Sequence, residues 1–279
     1  MLIDKTFSGK ICVITGAASG IGRALALRLH DAGAILALCD VDAAGLAETK
    51  SLLGGGASNH VMTDILDVAD ADAITDYAGH VAASLGNTDY LFNVAGLARV
   101  GTFDKMPLLA FETVMNVNFY GVVRMSKAFL GQLKQTRGGL INISSIFGII
   151  GYPGQTHYCA SKFAVRGFSE TLAQEVSGTG VSVSCVHPGG VATNIARNAK
   201  VDVMPDHGLS KEQMDAEFDK VALTTADKAA AIILTGAAKG KRRIIVGGDA
   251  KLMQFINRLF PQNYWKIMRA VKPDIYKVL

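Results

Sequence analysis

Short unbroken apolar runs alternate along this chain with stretches whose apolar residues recur every three or four positions. Ile11-Cys12-Val13-Ile14 is wholly apolar and ends in a glycine-rich turn, after which residues 21–29 take up helical spacing. Ala34-Ile35-Leu36-Ala37-Leu38-Cys39-Asp40 is the next buried-strand pattern, closing a βαβ unit of about thirty residues. His60-Val61-Met62, Tyr90-Leu91-Phe92, Leu140-Ile141-Asn142-Ile143, Val181-Ser182-Val183-Ser184-Cys185-Val186 and Arg243-Ile244-Ile245-Val246 read as further strands. Helical patterns at 69–84, 107–134, 157–177 and 226–238 separate most of them. Strands that are apolar throughout, rather than alternating, are buried on both faces. The pattern therefore predicts an α/β fold: one doubly wound, seven-stranded parallel sheet between two helical layers.

The chain of 279 residues, 49% hydrophobic, can bury a large core, and no linker divides it. Residues 1–248 are expected to form one domain, with 249–279 as a helical extension of it. The Gly54-Gly55-Gly56 run reads as a turn. A net charge of +4 with dispersed basic residues predicts no nucleic-acid surface. Cys12, Cys39, Cys159 and Cys185 lack metal-ligand spacing and read as reduced structural thiols, so neither a metal site nor disulfides are expected. No secretory pattern opens the chain and no apolar run has membrane-span length, which points to a cytoplasmic protein.

In a sheet of this kind ligands bind beyond the carboxyl ends of the strands, where strand order reverses. Gly16, Gly20 and Gly22 occupy the first such loop, with Ser19 and Ile21 between them. Without Cβ atoms the turn admits a pyrophosphate, and the N–H groups of the following helix point at it. Asp40 ends the second strand, where a carboxylate accepts from ribose hydroxyls and repels a 2′-phosphate; NAD(H) is thus expected over NADP(H). Asp64, after the third strand, is a candidate for the adenine amino group. Tyr158 and Lys162 lie four residues apart, so on a helix both rise from one face. An ammonium beside a phenol favours the phenolate, and bringing its pKa from near 10 to neutrality asks about 3 to 4 kcal/mol of the surroundings.

Thr15-Gly16-Ala17-Ala18-Ser19-Gly20-Ile21-Gly22, Asn93-Val94-Ala95-Gly96, Asn118, Ser145, Tyr158 with Lys162, and Pro188-Gly189 together resemble the short-chain dehydrogenase/reductase family in identity and order, over roughly residues 8 to 248. The resemblance implies a Rossmann-like fold, an NAD cofactor, a homodimer or homotetramer, and a catalytic set of Asn118, Ser145, Tyr158 and Lys162. In it, Tyr158 serves as acid/base, Ser145 donates to the carbonyl oxygen, Lys162 holds the nicotinamide ribose, and Asn118 holds a relay water. It also implies cofactor contacts from Gly16, Ser19, Gly20, Ile21, Gly22, Asp40, Asp64, Ile65, Asn93, Ala95, Gly96, Pro188, Gly189, Val191 and Thr193. Asn93 is further expected to tie neighbouring strands together.

The irregular segment 194–223, centred on Met204-Pro205-Asp206-His207-Gly208, is a candidate substrate lid. Leu97, Ile146, Tyr152 and Pro153, with Ser145 and Tyr158, predict a pocket for an apolar secondary alcohol or ketone. Arg99 reads as a solvated loop residue, with a substrate carboxylate as the other reading. The tail from Lys251 repeats apolar residues at helical spacing, and three uses compete for it: a subunit interface, a cover over the substrate site, or contact with a membrane surface. A nucleotide-binding regulator without turnover is the competing class of function. A serine hydrolase built on Ser145 lacks the G-x-S-x-G elbow.

Overall fold

A computed structural model describes residues 2–54, 61–203 and 210–271. In chain order the elements are α1 (Leu2–Phe7), β1 (Ile11–Thr15), α2 (Gly20–Asp31), β2 (Ile35–Asp40), α3 (Ala43–Leu52), β3 (Val61–Ile65), α4 (Ala71–Leu85), β4 (Tyr90–Asn93) and β5 (Arg99–Val100). Then come α5 (Leu108–Met115), a π-helical turn (Asn116–Tyr120), α6 (Gly121–Thr136), β6 (Gly139–Ile143), a 3₁₀ turn (Ile146–Gly148), α7 (Thr156–Glu175) and β7 (Ser182–Pro188). The chain continues through β8 (Val191–Ala192), β9 (Lys200–Val201), α8 (Lys211–Val221), β10 (Thr224–Thr225), α9 (Ala226–Ala238), β11 (Arg243–Val246), α10 (Gly248–Leu259) and α11 (Tyr264–Val271).

The main sheet has seven strands in the order β11-β7-β6-β4-β1-β2-β3, and every pairing in it is parallel. Successive β1 side chains enter opposite cores, as the period of two requires. Cys12 and Ile14 join the apolar cluster that includes Leu25, Leu29, Ile233 and Leu234 of α2 and α9. Ile11 and Val13 join the one that includes Ile74, Phe129 and Leu172 of α4, α6 and α7. Each fully buried Leu, Ile or Phe contributes about 1.5–3 kcal/mol relative to exposure, so both helical layers are held by the same strands. Strand order reverses between β1 and β4, and this places a crevice above Thr15 and Asn93.

All seven sequence-derived strands are present. The predicted helix 107–134 is instead interrupted: α5 and α6 are joined by the π turn carrying Asn118. The segment 194–223 is more regular than its composition suggested. Its β9 pairs with β5, and α8 opens with a capping box between Ser210 and Gln213. Met204 to Gly208, the expected lid centre, lie outside the described residues, as do Gly55, Gly56 and His60. The four cysteines are free and buried.

Candidate active site

The glycine turn is fixed from behind before it can hold anything. Thr15 Oγ1 accepts from the N–H groups of Val94 and Ala95, both at 3.0 Å, which joins the ends of β1 and β4. Gly16 has φ +69°, and a Cβ there would lie 2.8 Å from the Ala95 backbone. At Gly22 a Cβ would come within 2.0 Å of the Gly16 carbonyl oxygen. These two positions are therefore closed to any other residue by close approach and, at Gly16, by backbone conformation. Arg23 reinforces the turn by donating to the carbonyls of Ala18 and Gly45. Ser19 occupies the N-cap of α2 without a side-chain hydrogen bond, leaving the first N–H groups of a twelve-residue helix for an anion. Asp40 Oδ2 accepts from Ala18 N–H at 2.9 Å, and Oδ1 accepts from Asp42 N–H at 3.0 Å. The cradle and its carboxylate fit a dinucleotide: an anion seat at the helix start and an acceptor one strand away.

A cavity of about 1590 Å³ runs from this turn across the carboxyl ends of the strands. Gly16, Ser19, Gly20, Ile21, Gly22 and Asp40 line one end of it. Ala95, Gly96, Pro188, Gly189, Val191 and Thr193 line its middle. Ser145, Ile146, Tyr152, Tyr158, Lys162 and Leu97 close the other end.

Three expected cofactor contacts are corrected. Asp64 and Ile65 do not line the cavity; Leu66, Asp67 and Val68 do. The reason is register. β3 continues past the apolar run used to locate it, pairing Asp64 with Cys39 and Ile65 with Asp40, and Leu66 N–H extends the ladder to Asp40 O. The strand's end, and the loop that faces the crevice, thus begins three residues later. Ile65 points to solvent, and burial pushes the Asp64 carboxyl up. Asn93 is the third: buried beneath the cavity floor, it donates to Asn142 Oδ1 at 2.9 Å and to Ser126 Oγ at 3.3 Å. It ties β4 to β6, the structural half of what was expected.

Tyr158 and Lys162 share one face of α7, with the Lys162 ammonium 5.5 Å from the phenol ring centroid. The Lys162 Nζ donates to Ile143 O at 3.0 Å. The Ser145 side chain lies beside the Tyr158 hydroxyl and by itself favours the phenolate. Burial nevertheless wins, and Tyr158 is pushed up to about 12 rather than down as expected from its neighbour's charge. Lys162 is itself desolvated, to about 8. An ammonium buried this deeply loses water as well as lending charge, and four-residue spacing alone cannot show which effect dominates.

Asn118 is fully buried behind Gly96. Its Oδ1 accepts from Leu97 N–H at 2.8 Å, and its Nδ2 donates to Leu97 O at 2.9 Å and Ser161 Oγ at 3.2 Å. A Cβ on Gly96 would stand 3.2 Å from Asn118 Oδ1 and 3.5 Å from Lys162 Nζ. The π turn thus delivers an amide that fixes the loop after β4, with all its polar atoms engaged.

Two buried histidines surround the set. His157 Nε2 is 2.9 Å from Arg99 O, and its side chain is displaced from the cavity lining. His187, at the end of β7, bonds Ser145 O through Nδ1 at 2.9 Å; a carbonyl only accepts, so Nδ1 carries the proton. Burial pushes His187 down to about 4. Because the unfolded chain takes up this proton near pH 6.5 and the folded one near 4, stability is lost as pH falls through that window. The contribution is up to about 3 kcal/mol. His187→Asn, which keeps an N–H donor without a titrating group, is expected to flatten urea-unfolding midpoints between pH 6.5 and 4.

Arg99 is neither solvated nor aimed at substrate. It forms a two-pronged ion pair with Asp202, whose side chain is 5% exposed, with Nε to Oδ2 at 2.6 Å. The pair clamps β9 to β5 at the cavity's rim, and it holds the Asp202 carboxyl below the usual range. Pro153 lines only a neighbouring pocket with Tyr264 and Trp265. Apolar residues of the 194–223 segment were expected in the wall, and Met214 and Phe218 of α8 lie there; sequence reading missed Phe147 and Gln155, and named cover of the substrate site as one use of the tail without singling out Met253 and Met268. Only the helical apolar spacing of those segments hinted at burial.

Fold and site define an α/β protein of the dinucleotide-binding class. Residues 10–203 match the family described as short chain dehydrogenase, and the chain belongs to that family of oxidoreductases. It is 44% identical over 269 residues to SadH of Mycobacterium tuberculosis, a protein named as an oxidoreductase, spanning 95% of this chain and 96% of that one. A short chain dehydrogenase/reductase from Burkholderia phymatum in complex with NAD superimposes with TM-score 0.81 at 26% identity, covering 92% of this chain and 95% of the other. An alcohol dehydrogenase from Thermococcus sibiricus, complexed with 5-hydroxy-NADP, does so at 0.72 and 25%, covering 85% and 95%.

Proposed function

We propose that the protein is a cytoplasmic, NAD(H)-dependent oxidoreductase that interconverts an apolar secondary alcohol and its ketone. The observation that carries this reading is the convergence of Ser145, Tyr158 and Lys162 at one end of a cavity whose other end is the glycine turn and Asp40. The dinucleotide, when bound, supplies or accepts the hydride. Around it, the α2 N-terminus and Gly16 to Gly22 would hold the pyrophosphate, Asp40 the adenosine ribose, and Asp67 and Val68 the adenine side. Lys162 would hold the nicotinamide ribose, and the Pro188 to Thr193 loop the nicotinamide amide.

The chain's own groups account for the proton. With its hydroxyl pushed up to about 12, Tyr158 is protonated at neutral pH, the form that ketone reduction consumes. Ser145 donates a second hydrogen bond to the same developing oxyanion, while its backbone is held by His187. Asn118 acts by positioning the Leu97 loop and the floor beneath Lys162. Both hydrogens of its amide nitrogen are engaged, and its Oδ1 accepts from Leu97 N–H. Leu97, Val100, Ile146, Phe147, Met253 and Met268 give the cavity apolar walls, and the charged residues that α8 adds to the lining pair with one another, Lys211 with Asp215 and Lys220 with Glu217, which favours an uncharged apolar compound.

NADH oxidation with a panel of steroid, retinoid, long-chain and cyclic ketones tests the reading; cofactor binding with no turnover of any of them would leave a non-catalytic dinucleotide-binding protein. In the same assay Asp40→Ala is expected to narrow the preference for NADH over NADPH by about tenfold or more, since the repelling carboxylate is gone. The turn keeps its shape through Arg23 and through the Thr49 hydroxyl's bond to Ala17 O. An unchanged ratio removes Asp40 from the ribose site.

A further inference from the structure

The last two helices bury one side and leave the other apolar. Ala250 and Met268 pack with Ile146, Ile149 and Ile150, and Tyr264 Oη accepts from Gly151 N–H at 2.8 Å, so α10 and α11 are docked on the cavity wall. On the outer side of α10, Leu252, Phe255 and Leu259 recur at i, i+3 and i+7 and are 48%, 60% and 54% exposed. Phe260 and Trp265 continue the apolar surface at 50% and 41% exposure. An apolar stripe presented to water on a helix already anchored by its other face needs an occupant.

Charge selects among occupants. Lys251 and Arg258 are exposed and lie together at one edge of the α10 stripe by helical geometry, and Lys266 lies over the Trp265 ring, 5.6 Å from its centroid. Residues 248–271 contain these three cations and Arg269 but a single acid, Asp249, whose carboxylate is turned inward to accept from Gly190 N–H at 2.6 Å. A second copy of the chain in a two-fold contact would bring Lys251, Arg258 and Lys266 against their own counterparts, with no outward acid among the described residues of the two helices to match them. Among the described residues no helix is long and apolar enough to cross a bilayer, so the surface suits lying on one.

We propose that the outer face of α10–α11 docks the protein on an anionic membrane surface, with Phe255, Leu259, Phe260 and Trp265 entering the acyl boundary and the lysines and arginine meeting lipid phosphates. Met253 and Met268, on the same helices, line the cavity, so docking sets the cavity's wall against the phase in which an apolar substrate dissolves. The docking itself is independent of the catalytic reading; only the delivery of substrate rests on it.

Trp265 is the chain's single tryptophan, which makes its emission a direct reporter of this face. The full-length protein, without cofactor or substrate, is mixed with phosphatidylglycerol or phosphatidylcholine vesicles and followed by fluorescence and flotation. The expected result is a blue shift and co-flotation with phosphatidylglycerol alone, reversed at high salt. Each cation near an anionic surface contributes about fivefold to partitioning, so the double variant K251E/R258E should bind about 25-fold more weakly or worse. F255S/L259S should lose flotation while turning over a soluble ketone as the unaltered protein does. Failure to float with phosphatidylglycerol, equal binding to both lipids, or binding indifferent to both double variants overturns the proposal. So does absence of flotation with a drop in solution mass for F255S/L259S, which would assign the face to a second copy. None of these outcomes bears on whether the enzyme transfers hydride.

Discussion

Tyr158→Phe is expected to reduce turnover at least about a thousandfold in either direction while the dissociation constant for NADH changes by less than about threefold. The size follows from what is removed. A positioned acid or base contributes roughly 10²–10⁴ to such a rate, and the phenol is also one of two donors to the oxygen that gains charge. Binding should be spared because, on the proposed reading, the dinucleotide's phosphates and adenosine half would sit on the glycine turn and Asp40, which the substitution does not touch. The ring itself remains, with its edge contact to Phe147 at 6.3 Å. Stopped-flow turnover and fluorescence titration with NADH separate the two quantities. Retention of most of the activity would refute Tyr158 as the acid/base and move the search to Ser145.

Lys162→Met is expected to lower turnover at least about a hundredfold without lowering stability, an outcome that distinguishes a functional cation from a structural one. Lys162 is 3% exposed and its pKa falls to about 8 through desolvation. The folded state therefore disfavours the ammonium by about 3 kcal/mol at neutral pH. Against this, the charged hydrogen bond to Ile143 O is worth about 1.5–3 kcal/mol, and methionine fills the same volume without a charge. The difference is near zero or favours the variant by about 1 kcal/mol. The sign with pH is fixed by the same shift. Between about pH 8 and 10.5 the unfolded chain holds a proton that the folded chain has released, so the Lys162 contribution to stability rises with pH across that window, against the falling contribution of the buried Cys39 and Cys185 thiols, which burial pushes up to about 12. The methionine variant lacks this contribution, so relative to the unaltered protein its stability should fall as pH rises from about 8 to 10.5. Urea unfolding from pH 7 to 10.5, with NADH turnover measured alongside, checks both parts; a large loss of stability in the variant would mean that Lys162 is held chiefly for the fold.

How much of this site could be read in one dimension depends on the range of the interaction involved. The Gly16-to-Gly22 turn and the Tyr158–Lys162 pair were legible because each is a short-range pattern: a tight turn between strand and helix, or two side chains one helical turn apart. Asp64 was misplaced by three residues because strand ends are set by pairing with a neighbour. β3 runs on to satisfy Cys39 and Asp40 on β2, and nothing local marks that point. Arg99 was misjudged because its partner, Asp202, lies 103 residues away. The cavity-facing methionines of the tail were invisible for the same reason.

From its residues alone the chain determined the seven strands, their helical covers and the anion seat, since periodicity of two or 3.6 and the absence of Cβ atoms are properties of neighbouring residues; the catalytic set of Asn118, Ser145, Tyr158 and Lys162 rested on the ordered resemblance to a family. Only the folded arrangement decided which aspartate reaches the crevice, that Arg99 clamps its rim, that α10 and α11 form its wall, and that the Tyr158 phenol is made less acidic rather than more. Those facts depend on which groups are removed from water and which distant partners they meet, and burial and long-range pairing come into being only with the tertiary structure.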